Sequence, residues 1–225
     1  MAFLKCLKAL LIPLLFSQHD RTVENSFNEF LMQKEKQAWH ELSTIGIYRE
    51  SIEPLFLREI KNYTTKLPSK IERLSQETIN CIHQVMNDFG IDPSSISIVE
   101  SDEVAIASAL DSTLTISPSS FLVLPSNAQA FVIAHELQHI IYKDSSFCHF
   151  IKQTIKKYNL PLDAYFKYVR FIELRADIKA AIRSKEYALG YKAFVEELTH
   201  SQMAIAHLSQ SERISQANEI LAQFN

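Results

Sequence analysis

The chain has 225 residues, of which 47% are hydrophobic and 22% are charged. This composition excludes an intrinsically disordered chain, and a content of only three glycines excludes collagen-like and glycine-rich repeats. Lysine and arginine number 23 against 26 acidic residues, so the net charge of −3 supplies no positive field that would recruit nucleic acid. We therefore expect one core-forming domain and no nucleic-acid partner.

The first segment, residues 1–20, has the layout of an apolar leader. Lys5 and Lys8 precede an apolar run over residues 9–16, and polar residues follow at once. The run is too short to span a bilayer and no small-residue cleavage site follows it, so a membrane anchor and a packed helix are alternatives to a signal peptide. The layout favours export, or membrane association through residues 3–16, over a cytoplasmic location.

We predict that residues 21–225 form a single domain in three parts. Residues 21–89 form a helical lead-in, because their apolar positions recur at helical spacing until Gly90. Residues 91–125 contain β-branched or apolar runs that predict a small antiparallel sheet; these runs are 95–100, 104–110, 112–117 and 121–124. From residue 126 the helical period returns, with breaks expected near 144–146, 159–161, Gly190 and 209–211. The predicted fold class is α+β, mainly helical.

One helix of the third part carries polar residues in an apolar setting. Ser126 and Gln129 have the spacing of a capping box, which predicts that the helix begins there. The sequence that follows, AFVIAHELQHIIY (residues 130–142), is apolar almost all round and is therefore expected in the core, where a polar side chain needs a partner. Three such residues interrupt the run: His135, Glu136 and His139.

The spacing of these three residues is that of an HExxH zinc site. Positions four apart fall on one face of a helix, so His135 and His139 can bind a single ion. Glu136 projects from the adjacent flank, where a carboxylate can take a proton from the attacking water and pass it to a leaving amine. The pattern predicts a zinc hydrolase with Glu136 as general base. Buried histidines that only satisfy a hydrogen-bond network are the alternative.

A catalytic zinc needs a third protein ligand and an open position for water. Ser145 stands where an HExxHxxGxxH motif would have its third histidine, and this excludes that pattern. Glu173, on a later predicted helix, is the better third ligand. Asp177 and Asp144 are next in line for that position.

Asp177 shares a helical face with Glu173, one turn further on. We predict that it accepts a hydrogen bond from the far nitrogen of a ligating histidine, His135, and so fixes the tautomer of that ring. A solvated charge pair on either side of Arg175 is the alternative interpretation of these two carboxylates.

With these motifs the sequence resembles the gluzincin zinc metallopeptidases of the CAAX prenyl protease and HtpX type. SNAQAFVIAHELQHIIYKDS (residues 126–145) is similar to the active-site helix of that family, and ELRAD (residues 173–177) is similar to its ExxAD element. The likeness covers roughly residues 70–225.

Two weaker matches extend the resemblance. Residues 101–125 are similar to the strand pair that precedes the helix in the family, although Val104 stands where members have asparagine. HLSQSERI (residues 207–214) is similar to the C-terminal HPxxxxRI element, although Leu208 replaces the proline.

The resemblance implies a zincin-like domain and a zinc endopeptidase that acts on polypeptides and holds one zinc ion. It implies three ligands and a general base at the positions already named: His135, His139 and Glu173, with Glu136 as base. It also implies that substrate adds as a strand to an exposed sheet edge, at residues 112–117 or 104–109.

His207 and Arg213 are the candidates for stabilising the oxyanion of the reaction. His207 can instead occupy the open zinc position and keep the enzyme latent. A surface histidine and a helix-capping arginine are the other interpretations. Two further functions stay open: a zinc hydrolase of amides outside proteins, and a latent or inactive gluzincin-like scaffold that binds protein clients.

Overall fold

The computed structural model describes residues 18–60, 68–197 and 209–224. Most of the apolar leader (residues 1–17) and His207 lie outside the described residues. The helices are α1 (Gln18–Thr44), α2 (Arg49–Glu59), α3 (Gln76–Asp88), α4 (Pro118–Phe121), α5 (Ser126–Tyr142), α6 (Asp144–Tyr158), α7 (Asp163–Ala181), α8 (Lys185–Glu197) and α9 (Gln210–Ala222). The strands are β1 (Ser97–Glu100), β2 (Ala107–Leu110) and β3 (Thr113–Ile116). The predicted α+β class, mainly helical, is confirmed.

The sheet is mixed, so the prediction of an antiparallel sheet is wrong in part. Its strand order is β1-β3-β2; β3 pairs with β2 in antiparallel and with β1 in parallel register. Leu114 and Ile116 of β3 are fully buried, whereas Leu110 of β2 is 53% exposed. The most buried strand takes the central place, and β1 and β2, which are neighbours in sequence, are not neighbours in the sheet.

The fourth predicted strand, residues 121–124, is not a strand. Pro118 occupies the first turn of α4, where its fixed φ and missing N–H are tolerated. The chain then leaves the helix, and Leu122 and Val123 are exposed. Because Phe121 belongs to α4 and Pro125 precedes α5, only residues 122–124 remain of the apolar run, a segment shorter than a typical strand.

Two clusters of buried apolar side chains stabilise the fold. The first joins the sheet to α3, α5 and α8 and includes Ile98, Leu114, Phe131, Leu137 and Tyr191. The second joins the end of α1 to α2, α6 and the first half of α7 and includes Trp39, Phe56, Phe147, Tyr168 and Phe171. Because α7 also contributes Leu174 and Ile178 to the first cluster, and α1 contributes Leu31, these two helices are shared by both clusters.

Helix α5 begins at Ser126, but its capping box is not formed. The residue before the first turn is Pro125, which offers no side-chain cap, and the side-chain amide of Gln129 donates to the carbonyl of Leu124 at 2.9 Å. The break predicted at Gly190 is also absent, since Gly190 lies inside α8. No helix in the described ranges combines the length and apolar character that a membrane crossing requires.

Candidate metal site

Helices α5 and α7 bring three potential metal ligands to one point. The Nε2 atoms of His135 and His139 lie 3.0 Å apart, and Oε2 of Glu173 lies 3.3 Å from the first and 3.7 Å from the second. A tetrahedral zinc ion with bonds of about 2.0–2.2 Å holds its nitrogen and oxygen ligands about 3.3–3.6 Å apart. The sides of the triangle, 3.0 to 3.7 Å, bracket this range, so the three residues could hold a metal ion of this size.

The two histidines are buried because α5 lies in the first apolar cluster. They are 8% and 9% exposed, so each imidazole depends on partners inside the protein. Nδ1 of His135 lies 2.9 Å from Oδ1 of Asp177, and Nδ1 of His139 lies 3.0 Å from Oδ2 of Asp144. These contacts assign a ring proton to Nδ1, so Nε2 is the atom that each ring presents to a metal, which would replace any proton bound there.

Asp177 is held in place by residues of two other helices, α8 and α9. Arg213 of α9 donates from Nη2 to Oδ1 of Asp177 at 2.8 Å, and both side chains are almost completely buried. The hydroxyl of Tyr191 from α8 lies 3.2 Å from Oδ2 of Asp177 and 2.8 Å from the amide oxygen of Gln216. The position that the sequence assigned to Asp177, next to His135, is the position found.

Asp144 has the corresponding place next to His139. Nη2 of Arg175 donates to Oδ1 of Asp144, and the guanidinium lies over the ring of Tyr142 at 4.0 Å from its centroid. The sequence suggested Asp144 only as a substitute ligand, and its contact with Nδ1 of His139 was missed. The contact depends on Lys143, which ends α5 in the left-handed conformation (φ 58°) and turns Asp144 back toward the histidine.

The charges around the site favour a cation. Burial alone would lower the pKa of His135, because it destabilises the protonated imidazole. Hydrogen bonds to Asp177 and Glu173 outweigh this effect and raise the pKa of His135 to about 9. Burial alone would raise the pKa of Glu173, but hydrogen bonds from His135 and His139 lower it well below its ordinary value. The site thus stabilises positive charge at the point where the ligand atoms converge.

Glu136 lies between α5 and the edge of the sheet. Burial raises the pKa of its carboxyl group, while the neighbouring histidines and a hydrogen bond from the backbone N–H of Ala109 act in the opposite direction. Ser145 Oγ donates to the carbonyl of Ala109 at 2.5 Å. Through Ala109, strand β2 is therefore hydrogen-bonded to both α5 and α6.

At alternate residues of β2, the backbone N–H and C=O groups point away from β3. Ser117 N–H donates to the carbonyl of Ile106 at 2.8 Å, and the alternation of antiparallel pairs then directs the N–H and C=O groups of Ala107 and Ala109 outward. Of the two segments considered for substrate binding, residues 112–117 contain the central strand, which is paired on both sides. The assignment to residues 112–117 is wrong, whereas β2, which overlaps the other segment (residues 104–109), lies at the edge of the sheet.

Arg213 does not face the ligand triangle. Its guanidinium contacts Asp177, which binds the Nδ1 side of His135, whereas a metal would bind the Nε2 side. Arg213 is 2% exposed and therefore lies behind the site. His207 falls outside the described residues, so its predicted roles stay predictions.

Among the described residues, His135, His139 and Glu173 form the group that could hold a metal ion, with ligand atoms all within 4.8 Å of one another. Comparisons of the chain with protein-family models, with curated proteins and with solved structures found no match.

Proposed function

We propose that the protein is a zinc-dependent endopeptidase. The observation that carries the proposal is the triangle of His135 Nε2, His139 Nε2 and Glu173 Oε2, with sides of 3.0, 3.3 and 3.7 Å. Three protein ligands leave the fourth position of a tetrahedral ion open, as in catalytic zinc sites, whereas structural sites use four. Zinc bound there would supply Lewis-acid activation of a water molecule and of the scissile carbonyl.

Glu136 is the general base of the proposed reaction. Its carboxylate takes a proton from the attacking water and returns it to the nitrogen of the leaving amine. Burial raises the pKa of Glu136 above that of an ordinary carboxyl group, which makes this carboxylate a stronger base near neutral pH. The backbone N–H of Ala109 keeps the carboxylate oriented toward the sheet edge.

The edge of β2 favours a polypeptide over a small amide as substrate. An extended peptide that adds to β2 would pair with the outward N–H and C=O groups of Ala107. Ala109, two residues along the same edge, contacts Glu136, so the carbonyl groups of an added strand would pass close to the proposed base. This arrangement supports the proposal of a polypeptide substrate that binds along β2.

The proposal is tested by comparing Glu136→Gln with Glu103→Gln, which makes the same chemical change on an exposed residue before β2. Both proteins should contain about one zinc ion per chain, because neither residue is a proposed ligand. Glu136→Gln should cleave unfolded casein roughly 10²–10⁴-fold more slowly, because it removes the proton acceptor. Glu103→Gln should match the wild type.

Three outcomes would contradict the proposal. Equal casein cleavage by the two variants would remove Glu136 from the mechanism. Zinc binding with cleavage of small amides but not of casein would favour a hydrolase of other substrates. Zinc binding without any hydrolysis would favour a scaffold that binds protein clients.

A further inference from the structure

A cavity of about 550 Å³ lies behind His139, between α1, α2, α7 and the α5–α6 junction. This volume falls in the range of small-molecule sites, about 300–1,000 Å³. Buried rings of Phe56, Phe147 and Phe171 line its interior, and the exposed side chains of Met32 and Leu57 line its mouth. The cavity therefore offers an apolar surface to a ligand that enters from solvent.

The charged residues of the cavity separate into two ends along α1. At one end the ammonium group of Lys179 donates to the side-chain oxygen of Asn28 at 2.6 Å, and it makes no ion pair with the residues that the structure describes. At the other end Glu35 and Glu53 share a single guanidinium, that of Arg49, at 2.9 and 2.8 Å. Glu24 of α1 also acts on the charge of Lys179 but does not line the cavity, and Asp144 balances Arg175. Among the lining residues, one end thus carries an excess of positive charge and the other an excess of negative charge.

The two ends are separated by two turns of α1. Asn28 and Glu35 are seven residues apart in sequence, which corresponds to about 10 Å along a helix. Helices α1 and α7 run antiparallel, because Asn28 contacts Lys179 while Glu41 contacts Lys167.

Because the two ends differ in charge, a single anionic group is favoured at the Lys179 end and is disfavoured at the Glu35 end.

The cavity also reaches the metal site. Arg175 lies one helical turn from Lys179, lines the cavity and donates to Asp144, which lines it too. Asp144 in turn binds Nδ1 of His139. The cavity thus touches the site on the side opposite the Nε2 atoms, so a ligand in it would not compete with a substrate.

We propose that this cavity binds a small monocarboxylate with an apolar or aromatic body, and that its occupancy is coupled to metal binding through Arg175 and Asp144. The carboxylate pairs with Lys179 and with the guanidinium of Arg175, and the body covers Phe171 and extends toward Met32 and Leu57. A carboxylate on Arg175 competes with Asp144 for that guanidinium. Asp144 then accepts more strongly from His139, which makes Nε2 a better metal ligand.

Binding is tested by calorimetry on the zinc-loaded protein with decanoate below its micellar concentration. Lys179→Met should bind decanoate at least about tenfold more weakly, because it removes a charge-assisted contact. Lys152→Met removes one charge from an exposed position on α6 and should bind as the wild type does. Lys179→Arg keeps the charge and should retain binding.

The ligand is varied in parallel. Decanol lacks the charge, and sebacate adds a second carboxylate that would meet Glu35 and Glu53. Both should bind more weakly than decanoate. Equal affinity of Lys179→Met and Lys152→Met for decanoate, or a wild type that binds none of these ligands, would overturn the site.

Coupling is tested by measuring zinc affinity against a chromophoric chelator with and without saturating decanoate. Decanoate should tighten zinc binding about fivefold or more in the wild type and leave it unchanged in Lys179→Met. An unchanged zinc affinity in the wild type would overturn the coupling. Neither measurement uses peptide cleavage, so failure of the endopeptidase proposal in the casein assay is distinguishable from failure here.

Discussion

Each imidazole of the candidate metal site is held by a carboxylate, and each carboxylate is held by an arginine. On one side His135 contacts Asp177, which accepts from Arg213. The other side repeats the arrangement with His139, Asp144 and Arg175. Such outer partners fix the direction of the ligand atoms, so the ligand triangle is preorganised by residues on α6, α7 and α9 as well as by α5.

Arg213 is buried against Asp177, so its position supports a structural role rather than the predicted role as oxyanion stabiliser. Replacing Arg213 by Met would leave the carboxylate of Asp177 buried without its guanidinium. We predict that the free energy of unfolding of the metal-free protein, measured with urea, falls by about 3–5 kcal/mol. Zinc affinity should fall as well, because Asp177 would no longer be fixed beside His135.

Arg58→Met is the matched control, since Arg58 is exposed on α2. Its free energy of unfolding should stay within about 0.5 kcal/mol of the wild type. If Arg213→Met were as stable as this control and bound zinc normally but cleaved casein slowly, Arg213 would act on the oxyanion instead.

At the residue scale, spacing predicted which ligands the structure brings together. Two histidines four apart share a face of α5, and Glu173 and Asp177 share a face of α7, because both pairs follow from the geometry of one helix. The contact of Asp144 with His139 could not be predicted. It requires the left-handed conformation of Lys143, which is uncommon for a residue with a Cβ atom.

At the scale of elements, α5 is positioned by its close contact with α8. An ideal Cβ atom at Gly190 would lie 2.2 Å from the carbonyl oxygen of Asn127 in the first turn of α5. Only glycine allows the two helices to approach this closely. The sequence suggested a helix break at Gly190 because a glycine that breaks a helix and one that lets two helices pack are identical in a single sequence.

We predict that Gly190→Ala lowers the free energy of unfolding by roughly 1–3 kcal/mol, although alanine favours an isolated helix by about 1 kcal/mol. The loss arises because α8 must move away from the backbone of Asn127. Denaturant unfolding measures the change, with Lys192→Ala on the same helix as a control expected within about 0.5 kcal/mol of the wild type. A stabilised Gly190→Ala protein would show that the two helices are not in close contact.

The strand order of the sheet was beyond prediction for a related reason. Apolar and β-branched runs identified three of the segments that form strands, but a run carries no information about its neighbours. The parallel pairing of β1 with β3 depends on contacts across the sheet and on the burial of Leu114 and Ile116. The sequence offered residues 112–117 and 104–109 as segments for substrate binding. Only the observed strand order shows that the first contains the central strand and the second overlaps the edge strand.

For the molecule as a whole, the site lies where the two apolar clusters meet. Helix α5 belongs to the first cluster, and α7, which carries Glu173, belongs to both. The periodicity of the sequence predicted the mainly helical class. It could not predict that α1 of the lead-in runs along α7, because that packing rests on long-range pairs such as Lys167 with Glu41.

The central claim is that His135, His139 and Glu173 hold one zinc ion. It is tested most directly by anomalous diffraction on both sides of the zinc absorption edge from crystals grown with zinc. We predict one peak about 2.0–2.2 Å from Nε2 of both histidines and from a carboxylate oxygen of Glu173. An empty triangle, or a zinc peak bound by other residues, would contradict the account.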